Sequence, residues 1–166
     1  MQPVHPTFVG GVYWRQSMIN GAKTVPAILT LYSGRLALSA QAGPAFDAWL
    51  QEVSISISKL STMTLQVGGH KYAIVGRGSQ ISPAFSPEQV QQLGAAYQAG
   101  ANPAPGQPPV VVVGATVTPD GSVDVVNIHN GPYTGNPVVP TGINFGGLRE
   151  RIGLWQQVFA SLGIPT

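Results

Sequence analysis

The sequence predicts a mainly β fold with two helices, an α+β chain in which about seven antiparallel strands form a barrel closed by a capping helix, followed by a hairpin and a C-terminal helix. Three observations carry this reading. Apolar and polar residues alternate with period two in short stretches between Ala27 and Gly76, the mark of half-buried strands. Ser33-Gly34 and Gly68-Gly69 stand between such stretches, and both are two-residue hairpin signals. Two later segments switch to the 3.6-residue period of amphipathic helices.

Taken in order, residues 1–9 carry two prolines and read as an N-terminal arm, and a first strand is expected from Val12 to about Met18. Asn20-Gly21 is a turn dipeptide. Ile28–Tyr32 and Arg35–Ser39 flank Ser33-Gly34 as a hairpin; Gly43-Pro44 breaks the chain, and Phe46–Leu50 makes another short strand. In Val53–Ser58 the residues Val53, Ile55 and Ile57 share one face, with Ser54, Ser56 and Ser58 on the other. Thr62–Val67 repeats the pattern, with Met63, Leu65 and Val67 inward, and Lys71–Val75 returns after the glycine pair. That makes seven candidate strands before Gly76. A wet-faced chain of hairpins must close up or pack on a helix to bury its other face.

The first helix, 87–99, has strong start signals. Ser86 is the N-cap, Pro87 occupies the first helical position, Gln89 completes a capping box, and Phe85 with Val90 suggests a hydrophobic staple. Val90, Leu93 and Tyr97 lie on one side, and Gly100 suits the position just past the end. Residues 10–100 are thus expected to form barrel and helix, and 101–109 a Pro-rich linker. Residues 110–166 read as an extension packed on the same domain: strands Val110–Thr118 and Ser122–His129 joined at Pro119-Asp120-Gly121, then a loop, then a helix from Gly147 to Leu162. Leu148, Ile152, Trp155, Phe159 and Leu162 form one apolar stripe there, so this helix should be docked, with Leu148, Arg151, Ile152, Trp155 and Phe159 as its docking residues. Arg151 falls inside the apolar arc, where a guanidinium must snorkel to water or find an acceptor.

Composition narrows function by exclusion. Charged residues make up 8% of the 166, against a usual share of about 25%. The net charge of +2 comes from scattered cations with no run that would neutralise many phosphates, so nucleic acid is not expected as a partner. There is no cysteine, hence no disulfide, thiolate zinc site or cysteine nucleophile. His5, His70 and His129 lack metal-site spacing, and no metal or other cofactor is expected. Val110-Val-Val-Val-Gly-Ala115 lacks the further glycines and following helix of a dinucleotide site, and Gly76-Arg-Gly-Ser-Gln80 lacks the closing glycine of a nucleophile elbow. No acid–base or nucleophile constellation marks an enzyme. No signal peptide and no membrane span is legible, so a cytoplasmic protein is expected.

The residues between 28 and 97 resemble the pleckstrin-homology-like barrel, in its GRAM-type branch. The resemblance rests on the hairpin Leu29-Thr-Leu-Tyr-Ser-Gly-Arg-Leu36, on Phe46-Asp-Ala-Trp-Leu-Gln-Glu-Val53, on Leu65-Gln-Val-Gly-Gly-His-Lys-Tyr72 and on the capped helix that follows. It implies a curved barrel plugged at one end by a helix, and a role in binding proteins or lipids. Strand count favours helix 87–99 as the plug; the alternative is the last helix, which carries Trp155 and the broader stripe. Arg35, Lys71 and Arg77 lie at strand ends, where barrel loops often meet a ligand, and could take an anionic lipid headgroup. Tyr13, Trp14, Trp49 and Trp155 are core aromatics or, for one of them, groove lining. The sequence thus predicts a non-enzymatic binding module for a protein or lipid, with self-association or a protein partner foremost. The alternatives are a structural subunit docking through its last helix and a small enzyme without a recognisable motif. The uncharged face of Ser54, Ser56, Ser58, Thr62 and Thr64 calls for a cover, either the 110–130 hairpin or a partner.

Overall fold

A computed structural model describes residues 7–16, 23–59, 62–75, 83–102, 104–107, 109–117, 120–125, 136–137 and 151–166. The alternating stretches are strands: β1 (Thr7–Arg15), β2 (Thr24–Tyr32), β3 (Arg35–Ala40), β4 (Gly43–Trp49), β5 (Val53–Ile57), β6 (Thr62–Val67) and β7 (His70–Val75). They form one antiparallel sheet in the order β4-β3-β2-β1-β7-β6-β5. Both expected hairpins close as read. Ser33 and Gly34 have φ of 48° and 76°, and Gly68 and Gly69 of 56° and 83°, the paired positive φ of type I′ turns. The first strand begins at Thr7, so three residues of the expected arm belong to the sheet, and Ser17 and Met18 lie outside the described residues.

The two outermost strands, β4 and β5, are consecutive in the chain and joined only by one 3-10 turn, Leu50–Glu52. A flat sheet of this width would hold them roughly 29 Å apart at about 4.8 Å per strand. Four residue steps reach about 14 Å at most. The sheet must therefore roll until its edges approach. The ladders show the accompanying stagger: Arg35 and Trp49 stand level with the start of β1, whereas Val53, Val67 and His70 lie beyond the level of Arg15. Such displacement along the strands is what rolling into a barrel requires. No ladder joins β4 to β5 among the described residues, so the roll is open along that seam.

The two sheet faces bury different things. Phe8, Val12, Ala27, Leu29, Leu31, Leu36, Leu38, Met63, Leu65 and Ile74 point into the concave side. There they meet Ile152, Leu154, Trp155, Val158 and Phe159 of the terminal helix, α2 (Arg151–Ser161). The other helix, α1 (Pro87–Ala101), packs on the convex side, where Leu93 meets Val9 and Ile28. The expected plug is thus corrected: the last helix fills the roll and α1 lies outside. The reason is apolar area. The α2 stripe supplies two large aromatics and three aliphatics with at most 1% exposure, whereas the buried residues of α1 are Gln89 and Leu93.

The capping box at Ser86 forms as the sequence implies, with Ser86 Oγ accepting from the Gln89 amide and Gln89 Oε1 accepting from the Ser86 amide. Gln89 also donates from Nε2 to the Pro26 carbonyl, fixing the helix start against β2. The contact line of α1 runs through Gln89, Leu93, Ala96 and Tyr97, and Val90 is left exposed. Gly100 is a helical residue, not the residue past the end; the helix runs to Ala101 with Asn102 as C-cap.

The expected strand Val110–Thr118 is broken. β8 (Val110–Val112) adds parallel to the start of β1, then the chain turns at Gly114 (φ 89°). β9 (Thr116–Val117) pairs with β10 (Val123–Asp124) and β11 (Asn136–Pro137) in a separate small sheet. Asp120 closes the loop by accepting from the Ser122 amide and hydroxyl. Gly163 (φ 72°) ends α2, with its amide on Ala160 and that of Ile164 on Phe159, a Schellman motif.

Candidate functional site

At the β4 edge of the roll, four side chains meet on the convex face because the register puts them there. Tyr32 is opposite Arg35 across β2–β3, and Arg35 is opposite Trp49 across β3–β4. Asp47 lies two residues before Trp49 and therefore on the same face. Cross-strand neighbours of this kind are close enough to interact directly. Arg35 donates from Nε to Asp47 Oδ1 at 2.8 Å and from Nη2 to the Asp47 carbonyl at 3.1 Å. The Tyr32 hydroxyl donates to Asp47 Oδ2 at 2.7 Å. The Arg35 guanidinium carbon lies 4.5 Å from the Trp49 ring centroid, within cation–π range.

The electrostatics are those of a satisfied cluster. The hydrogen bond from Tyr32, then that from Arg35, holds the Asp47 carboxyl below its ordinary value. Donating to the same carboxylate pushes the Tyr32 phenol up, and the Asp47 contact raises Arg35 further. The cluster is open to solvent, so its ion pair adds little to stability and much to local order. Trp49 is 47% exposed and Val90 is the other exposed large hydrophobic residue among those described.

Beside this cluster lies a pocket of about 220 Å³ lined by Leu31, Tyr32, Ser33, Gly34, Leu50, Leu162 and Ile164. Three elements converge on it. The β2–β3 turn gives Ser33 and Gly34, the 3-10 turn gives Leu50 with its amide on the Gly34 carbonyl, and the Schellman end of α2 gives Leu162 and Ile164. Docking of the last helix therefore builds one wall of the pocket. Chemically the site offers an apolar notch, an exposed indole and a pre-set guanidinium.

The expected site residues fall out as follows. Arg35 is in the site but already engaged with Asp47. Lys71 is exposed, opposite Gln66 in the β6–β7 ladder, and nothing in the structure ties it to Arg35. Arg77 and Leu148 lie outside the described residues, as does the side chain of Arg151. Ile152, Trp155 and Phe159 do dock their helix, on the chain's own sheet. These three side chains are themselves closed to a second molecule. Tyr32 and Asp47 were not singled out by the sequence, and Trp49, expected as a core aromatic or, for one of four, groove lining, is exposed and not core. Their signal was the alternation itself: with Phe46 and Ala48 inward, Asp47 and Trp49 must point out.

Among the described residues no group of three or more His, Asp or Glu could hold a metal ion. His5 and His129 lie outside them. No helix among them is long and apolar enough to cross a membrane. Compared with known proteins, the chain matches no family model, no curated protein and no solved structure.

Proposed function

We propose that this protein is a non-enzymatic binding module that takes a protein partner at the Tyr32–Arg35–Asp47–Trp49 rim and the adjoining pocket. The observation that carries this reading is the exposed indole of Trp49 held against Arg35. An exposed tryptophan is unfavourable in water, and Trp, Tyr and Arg are the residue types that dominate binding energy at protein interfaces. Here Asp47 already orders Tyr32 and Arg35, and Arg35 lies over Trp49, so little side-chain entropy remains to be lost on binding. A lipid headgroup is the weaker candidate, because the Arg35 charge is compensated by Asp47. A rolled seven-strand sheet filled by a helix supports the pleckstrin-homology-like reading of the architecture, with α2 as the plug. A cytoplasmic setting belongs to the same proposal.

The test is affinity capture from extract of the native host with the wild-type chain and with Trp49→Ala, followed by titration of the purified captured protein. A partner bound by the wild type and weakened about tenfold or more by Trp49→Ala supports the reading, on the scale of an aromatic hot spot. A partner bound equally by both overturns it. Salt-sensitive binding to anionic vesicles that is lost in Arg35→Ala would instead favour the lipid reading.

A further inference from the structure

The two free edges of the roll are not alike. β4 is guarded: it carries Pro44, a register irregularity opposite it at Leu38/Ser39, and the charge of Asp47. Prolines, bulges and charges are the usual devices against edge-to-edge pairing. β5 has none of them. Val53-Ser-Ile-Ser-Ile57 contains no proline and no charge, and among the described residues it pairs with β6 on one side only. Ser54 and Ser56 are exposed; of the expected cover, the 110–130 hairpin, residues 118–119 and 126–130 lie outside the described residues.

The strand is self-complementary. Set antiparallel to a copy of itself about Ile55, it places Ile55 opposite Ile55, Val53 opposite Ile57, and Ser54 opposite Ser56. Each apolar residue then meets an apolar one on the core side, and each serine meets a serine on the outer side, which is a favourable cross-strand pattern. A shift by one position would oppose isoleucine to serine and put the two on the wrong faces. In this register exposed Glu52 stands opposite Ser58 and exposed Lys59 opposite Gln51, so each end carries an acid of one copy and a base of the other, one position out of direct opposition, and no like charges are opposed.

We propose that β5 is a dimerisation edge whose partner is a second copy of this chain, paired antiparallel about Ile55. The interface is isologous, as two-fold pairing requires. It joins the two rolled sheets into one continuous sheet and satisfies the free amides and carbonyls of both edges. It uses none of Tyr32, Arg35, Asp47 or Trp49, so dimerisation and partner binding at the rim are separable.

The experiment is sedimentation analysis of the full chain across a concentration series, with circular dichroism to confirm that each variant is folded. The wild type should show a concentration-dependent dimer. Ser54→Lys with Ser56→Lys sets lysine opposite lysine on the exposed face and should weaken the dimer by about tenfold or more, since directly opposed like charges are unfavourable. Amide hydrogen exchange across 53–57 should slow on dimerisation. A wild type that stays monomeric throughout the series overturns the proposal. So does a dimer indifferent to the serine changes. Trp49→Ala should leave the dimer intact, which distinguishes a failure here from a failure of the rim reading.

Discussion

Gly10 of β1 and Trp155 of α2 touch where there is room for a hydrogen and no more. A Cβ at Gly10 would lie 3.3 Å from Cζ2 of Trp155 and 2.5 Å from the carbonyl oxygen of Val113. Strand, helix and the end of β8 are thus brought together at one atom. Gly10→Ala should destabilise the fold by about 1–3 kcal/mol, the range of overpacking in a closed core. Denaturant unfolding measures it, and an unchanged midpoint would mean that helix and strand stand further apart.

Trp155 itself carries a buried Nε1 with no hydrogen-bond partner among the described residues. Removing the indole altogether should cost about 3–5 kcal/mol, as for large aromatics in cores. Trp155→Phe should cost much less, because the lost packing is offset by relief from an unpaired donor whose burial costs about 1–3 kcal/mol. Comparable losses from the two changes, by thermal or chemical unfolding, would show that the N–H is satisfied in solution.

Two glycines in α1 should respond to alanine with opposite signs. Gly94 has nothing within 4 Å of where a Cβ would sit, so Gly94→Ala should gain about 1 kcal/mol from helix propensity. At Gly100 the same atom would overlap the Val110 carbonyl oxygen, a backbone atom that cannot swing aside. Gly100→Ala should therefore destabilise despite its better propensity, by prising α1 from β8. Paired melting curves decide it.

The Tyr32–Asp47–Arg35 cluster sets a pH dependence with a definite sign. Asp47 is lowered in the fold, so its contribution is present above the ordinary carboxylate range and is lost as pH falls through the lowered value. Tyr32 is raised, so its contribution is present below the ordinary phenol range and is lost as pH climbs through the raised value. Tyr32→Phe should move the Asp47 titration, followed by carboxyl NMR, back towards the ordinary value, and Arg35→Ala should move it the same way. Because all three groups are open to solvent, global stability near neutral pH should barely change.

Much of the local structure was legible because it depends on neighbours in sequence. Alternation in Val53–Ile57 and Thr62–Val67 fixed which side chains turn inward, and the Ser33-Gly34 and Gly68-Gly69 pairs fixed two hairpins and their registers. The Ser86 box and Gly163 marked one helix start and one helix end. What escaped was what depends on pairs far apart in the chain. The stripe of α2 announced that the helix must be buried, but periodicity names no partner, so it could not say that the concave face belongs to residues 151–161 instead of 87–101. The break at Gly114 arises because Val110–Val112 gain a ladder with β1, more than a hundred residues away, which no turn signal foretells. Trp49 became a rim residue only when β3 set Arg35 opposite it and Tyr32 opposite Arg35. Sequence decided which face each residue takes within its own strand or helix; tertiary structure decided which faces meet, because burial depends on apolar area that distant segments must supply to one another.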